Sequence, residues 1–163
     1  MKKGLFIFVL AGLMLMSLLI APIVGAKPHH TEFGKELTEI RQATVKYRDI
    51  NKALEDGYVF PDYCVDQMGY HLVNNDLAEN GEIDMLQPEI LIYEPMKNGK
   101  YRLVAVEWLA PHAVFDETPA LFGRTFDKGV PYPDVDTLHA WIWQANPNGM
   151  FSGSNPNISC QYE

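Results

Sequence analysis

Residues 89–94 (EILIYE) and 101–109 (YRLVAVEWL) are two runs dense in β-branched and aromatic residues, and Asn98-Gly99 stands between them. Asn-Gly is the strongest short-range hairpin signal, because a tight two-residue turn needs positive φ at both positions. With Asn98 and Gly99 as the turn, Lys97 faces Lys100, Glu94 faces Leu103, Ile92 faces Ala105 and Ile90 faces Glu107. Alternation then puts Glu94 and Glu107 on one face with Ile90, Ile92, Leu103, Ala105 and Leu109. The other face carries Leu91, Tyr93, Val104, Val106 and Trp108, and Arg102 points away from Glu94. Both faces are mainly apolar, so the pair is predicted to lie centrally in a sheet covered on both sides.

The other elements are arranged around this pair. Thr31 can cap a helix, and Phe33, Leu37, Ile40, Tyr47, Ile50 and Leu54 recur on one helical face up to Gly57, where a left-handed residue ends the helix. Residues 69–74 read as a short strand, residues 76–85 as room for a helical turn, and residues 135–143 as the last strand. Residues 111–133 hold several turn formers and read as a long loop over the sheet. The predicted fold is α+β: an N-terminal amphipathic helix packed on an antiparallel sheet that is open or closes into a barrel.

The first residues are not part of that domain. Lys2 and Lys3 precede an apolar run from Leu5 to about Ile20, and Val24-Gly25-Ala26 supplies small residues for cleavage. This is the pattern of a signal peptide over residues 1–26, leaving residues 27–163 as one exported domain, periplasmic or extracellular. An uncleaved anchor is the alternative, since the run is long enough to span a bilayer. Losing Lys2 and Lys3 takes the net charge of −8 to −10. That excess disfavours nucleic acid, whose phosphates must be met by Lys and Arg, and no basic stripe suits an anionic membrane. Cys64 and Cys160 are the only cysteines, and export makes a disulfide between them the expectation; a thiolate metal pair is the alternative.

Two anomalies carry the chemistry. Glu94 and Glu107 sit on an apolar strand face, where a carboxylate needs a partner because desolvating a lone charge costs several kcal/mol. His71, His112 and His139 each sit in or beside an apolar strand-like stretch. Three imidazoles and a carboxylate suit zinc, iron, copper or manganese, so the candidate ligands are His71, Glu107, His112 and His139. Glu94 is a further ligand or an acceptor behind them. Met68 and Met150 could add soft donors, although methionine is more often a gap-filler. Tyr70, Trp108, Trp141 and Trp143 are the candidate lining of an apolar pocket, or ordinary core aromatics. No HExxH, CxxC or G-x-S-x-G spacing occurs. His29, third after the predicted cleavage, cannot complete an amino-terminal copper site because Pro28 has no N–H.

The blocks ATVKYRDINKALEDGY, MGYHLVN, PEILIYEP, LVAVEW, LHAWIWQANPNGMF and NPNISC resemble a family of exported prokaryotic proteins that carry a signal peptide and the same order of blocks. The resemblance spans roughly residues 43–160 and implies export and a single domain, with no activity attached. The leading expectation is a metal-binding protein, a redox or oxygen-chemistry centre or a metal carrier. The alternatives are a non-enzymatic module for an apolar or aromatic small ligand and a structural envelope protein.

Overall fold

The computed structural model describes residues 33–129 and 132–163. The proposed leader, Thr31 and the paired histidines at 29 and 30 lie outside the described residues. Among the described residues, no helix is long and apolar enough to cross a membrane. Five antiparallel strands form the main sheet: β1 (Tyr70–Val73), β2 (Ile90–Pro95), β3 (Tyr101–Pro111), β6 (Asp127–Lys128) and β7 (Val135–Ala140). Their order is β1-β2-β3-β7-β6, so the sheet is open and the barrel expectation is corrected. The residues read as one long loop contribute β6 and a small hairpin of β4 (Ala120–Leu121) and β5 (Arg124–Thr125).

The central hairpin forms, by a route the sequence did not announce. Met96 N–H donates to the Lys100 carbonyl and Gly99 N–H to the Met96 carbonyl, with Gly99 at φ 73°. The turn therefore has three residues, not two, and Tyr93 pairs with Leu103 and Glu94 with Arg102. A bulge between Ile92 and Tyr93 then absorbs Val104. Beyond it the pairs are Ile92–Ala105 and Ile90–Glu107, as expected. The extra turn residue and the bulge offset one another, which is how a bulge re-aims one part of a strand without moving the rest. Leu103 thereby joins Leu91 and Tyr93, Val104 joins Ile92 and Ala105, and Arg102 turns onto the face of Glu94. The Val104 carbonyl accepts from Trp143 and Gln144, docking the chain that follows β7.

One face packs on helices. The predicted single helix is broken into α1 (Gly34–Thr44), a 3₁₀ turn (Val45–Arg48) and α2 (Ile50–Glu55). The break falls at Asp49, whose extended backbone and side chain restart the helix by accepting from Asn51 N–H at 3.1 Å. The stripe is rephased: Leu37 and Ile40 are buried as expected, while Leu54 is 44% exposed and Ala53 is buried instead. Each buried Leu or Ile contributes about 2 kcal/mol of transfer free energy. The tyrosines that enter this core keep their hydroxyls bonded, Tyr93 to the Tyr47 carbonyl and Tyr58 to the Pro88 carbonyl, both at 2.6 Å. Asn74 accepts from Leu77 N–H and caps the short α3 (Asn75–Ala78).

The other face is covered by irregular chain. Residues 61–68 form a strap across it, and the Cys64–Cys160 disulfide ties the strap to the C-terminal tail. Asn155 N–H donates to the Gln67 carbonyl, and Ile158 is buried against Ile90, Ile92 and Trp141. The strap enters β1 through Gly69 at φ 104°, where a Cβ would stand 2.5 Å from the Tyr93 carbonyl oxygen. Only glycine fits there. Replacing Gly69 by alanine combines a positive φ with a backbone clash and is expected to cost roughly 2–4 kcal/mol. Urea unfolding of G69A should show a lowered midpoint with an unchanged slope.

Candidate metal centre

His71, Glu107 and His139 meet on the strap-covered face, one from each of three strands. Pairing sets the geometry. Glu107 and His139 are direct cross-strand partners in the β3–β7 ladder, so their side chains leave the sheet side by side. His71 lies on β1, opposite Ile92, and reaches across β2. Its Nε2 stands 3.6 Å from Glu107 Oε2, and His139 Nδ1 stands 3.4 Å from Glu107 Oε1. One ligand atom from each residue lies within 4.8 Å of the others, an arrangement that could hold a metal ion. Donors about 2.0–2.1 Å from a tetrahedral metal stand about 3.3 Å apart. The two measured separations are close to that spacing, and the third needs only side-chain adjustment.

The electrostatics fit the same reading. His71 Nδ1 lies 3.2 Å from the Gly69 carbonyl oxygen, a contact that holds the proton on Nδ1 and leaves the Nε2 lone pair facing Glu107. Glu107 and His139 side chains are 2% and 4% exposed, against 20% for His71. Glu107 Oε2 and His139 Nε2 are buried with no hydrogen-bond partner. Buried polar atoms are rarely left so, and an unpartnered carboxylate oxygen facing an imidazole nitrogen, here His71 Nε2, is one that a cation or a shared proton would satisfy. Burial pushes Glu107 up, opposed by the neighbouring His71 and by a hydrogen bond with Thr137. Burial depresses His139 to about 4, partly countered by the charge of Asp127, and also depresses His71, opposed by Glu107. Both histidines are therefore neutral at neutral pH, the form that binds metals. The His139 ring stacks on Trp141, 6.2 Å between centroids and 13° between planes.

The other proposed ligands go elsewhere. His112 Nε2 lies 2.8 Å from Asp136 Oδ1, a buried carboxylate that also accepts from Gly129 N–H, and this pair is separate from the cluster. Pro111 and the end of β3 carry His112 past the site. Glu94 lies four residues along β2 from Ile90, the partner of Glu107, too far to join the site; it pairs with Arg102, which the bulge brings to its face, and accepts from Ser159 N–H at 3.2 Å.

The aromatic set does not converge either. Tyr70, Trp108 and Trp143 belong to the helix-side core. Trp108 donates to the Asp84 carbonyl at 3.1 Å, and Trp143 donates to Thr44 Oγ1 at 3.3 Å. The alternation of His139, Trp141 and Trp143 suggested one wall, but β7 ends at Ala140 and Ile142 N–H turns back to the Ala140 carbonyl. Only Trp141 stays beside His139.

A cavity of about 350 Å³ adjoins the cluster instead. His71, Glu107 and Thr137 stand at its sheet side, with Val73, Ile90, Leu109 and Val135 around them; Pro61, Val65 and Met68 line it from the strap. Tyr63 and Tyr132 also line it, with hydroxyls 2.9 Å apart. Both are more than half exposed, and an exposed tyrosine in turn-rich sequence gives no periodic signal to read. Met68, raised as a soft donor, lines this cavity, whereas Met150 packs on the helix-side core. No family model matches this chain, and neither does any curated protein or solved structure.

Protonation of the metal-free centre works in two directions. His139 gains its proton in the unfolded chain near 6.5 and in the folded chain near 4, so the unfolded state holds more protons between these values and stability falls as pH drops through that window. Glu107 is raised, so its folded form keeps a proton that the unfolded form loses above 4.5, and stability falls as pH rises through the folded value. Burial also pushes Glu89 up to about 7, so it adds a loss of stability in the same direction. In the presence of a chelator, Glu107→Gln should therefore shrink the alkaline loss to the part Glu89 supplies and keep the acidic one, read by urea unfolding from pH 4 to 8.

Proposed function

We propose that this chain is an exported metal-binding protein with a two-histidine, one-carboxylate centre formed by His71, Glu107 and His139. The observation that carries this reading is the buried, unpartnered Glu107 Oε2, with His71 Nε2 3.6 Å from it, in a cluster of ligand spacing. A cation would satisfy this oxygen, whereas an empty apolar site would leave it at a cost of about 1–3 kcal/mol, more if it is charged. Three protein donors leave a coordination position open, which suits a centre that carries a metal or does chemistry at it rather than a closed structural site. Nitrogen and carboxylate donors suit zinc, iron or manganese, and Met68 in the adjoining cavity would favour copper if it joined them. Export is supported by the leader-like residues 1–26 and by the Cys64–Cys160 disulfide, a bond that belongs to oxidising compartments.

Elemental analysis of protein purified without a histidine tag should find close to one transition-metal ion per chain, directly or after refilling with Zn2+, Fe2+, Mn2+ or Cu2+. Glu107→Gln combined with His139→Ala should reduce that at least tenfold with the circular dichroism spectrum intact. Full metal content in the double variant would overturn the ligand set. An absence of metal in the refilled native protein would overturn the reading itself.

A further inference from the structure

We infer that the cavity above the centre takes a small apolar molecule with one anionic head, a monocarboxylate of about a dozen non-hydrogen atoms, with its head toward the cluster and its body under the strap. This inference rests on the metal reading and names what would share the metal's open position.

The size follows from the volume. A cavity of about 350 Å³ holds about a dozen non-hydrogen atoms at the roughly 30 Å³ that a water-sized group occupies in a liquid. The body follows from the walls. Pro61, Val65 and Met68 on one side and Val73, Ile90 and Leu109 on the other offer apolar surface and no side-chain hydrogen-bonding group. Water has little to hold it there, and an apolar chain would be favoured by about 25 cal/mol for each Å² removed from solvent.

The head follows from charge. A divalent cation held by neutral His71 and His139 and by one carboxylate keeps one positive charge, which a single anion cancels. No lysine or arginine stands among the described residues that line the cavity, so a second negative charge would go unpaired. Asp127, whose charge reaches both Glu107 and His139, opposes it further. Approach to the cation is also set by the structure. Glu107 and His139 are closed off, and His71 is the ligand residue with appreciable exposure, so the open position faces the cavity side. Tyr63 and Tyr132, both exposed and joined through their hydroxyls, stand where such a molecule would enter.

The probe is decanoate, kept below its micellar concentration and titrated calorimetrically into Zn2+-loaded protein. Acetate, decanol and the metal-free protein serve as comparisons. Decanoate should bind the loaded protein at least tenfold more tightly than acetate, more tightly than decanol, and more tightly than it binds the metal-free protein. Val135→Trp and Val65→Trp fill the cavity from different elements. Each should lose decanoate binding at least tenfold, and one of them retaining bound zinc is enough to make the comparison.

Acetate binding as tightly as decanoate, or decanoate surviving in a zinc-retaining plugged variant, would overturn the cavity assignment. Decanol matching decanoate would overturn the anionic head. In all three cases the metal reading stands. Failure of the native protein to take up zinc or any of the other ions would overturn both together.

Discussion

The structure turns on one carboxylate placed where water cannot reach it. Strand β3 is central and buried on both faces from Leu103 to Trp108, so a polar side chain there must find its partner inside the protein. Glu107 is the one acid at the middle of that strand, and among the described residues no lysine or arginine forms a salt bridge with it. What surrounds it are an imidazole from the neighbouring β7, another that reaches across β2 from β1, a threonine and the cavity. An isolated ionised carboxylate in such a place costs several kcal/mol, and neutral histidines relieve only part of that cost. The rest of the face follows from this constraint: the ring of His71 is set by a backbone carbonyl, His139 is stacked on an indole, and a strap keeps solvent away.

Much of this arrangement is legible in the residues. The hairpin follows from Asn98-Gly99 between two apolar runs. The burial of Glu107 follows from its place on one strand face with Ile90, Ile92, Ala105 and Leu109. The disulfide is the expectation that two cysteines behind a leader-like segment raise. Three of the proposed ligands meet, because Glu107 and His139 lie on long, regular strands whose faces can be counted.

What could not be read depends on single-residue events. The bulge at Val104 moved Arg102 to the side of Glu94 and so gave that carboxylate its ion-pair partner. His112 follows Pro111 at the end of β3, and periodicity does not say where a chain goes after its last strand residue. Trp143 left the expected wall because β7 stops three residues early, and Asp49 broke a helix whose apolar spacing alone looked continuous. The cavity lining came from residues 61–68, a stretch with no period at all. Turns and bulges are set by tertiary contact, and those contacts are made by residues distant in sequence.

The strap has a consequence for how such a protein can change. All three donors are carried by hydrogen-bonded strands, whereas Pro61, Val65 and Met68 sit on an irregular segment held mainly by one covalent cross-link and the contacts of the tail. Selection can therefore exchange these side chains almost freely, resizing the chamber for a new guest, while the cluster beneath is inherited unaltered. A scaffold of this kind separates the strand residues that form the cluster from the strap side chains Pro61, Val65 and Met68, which can diversify while Cys64 keeps the strap in place.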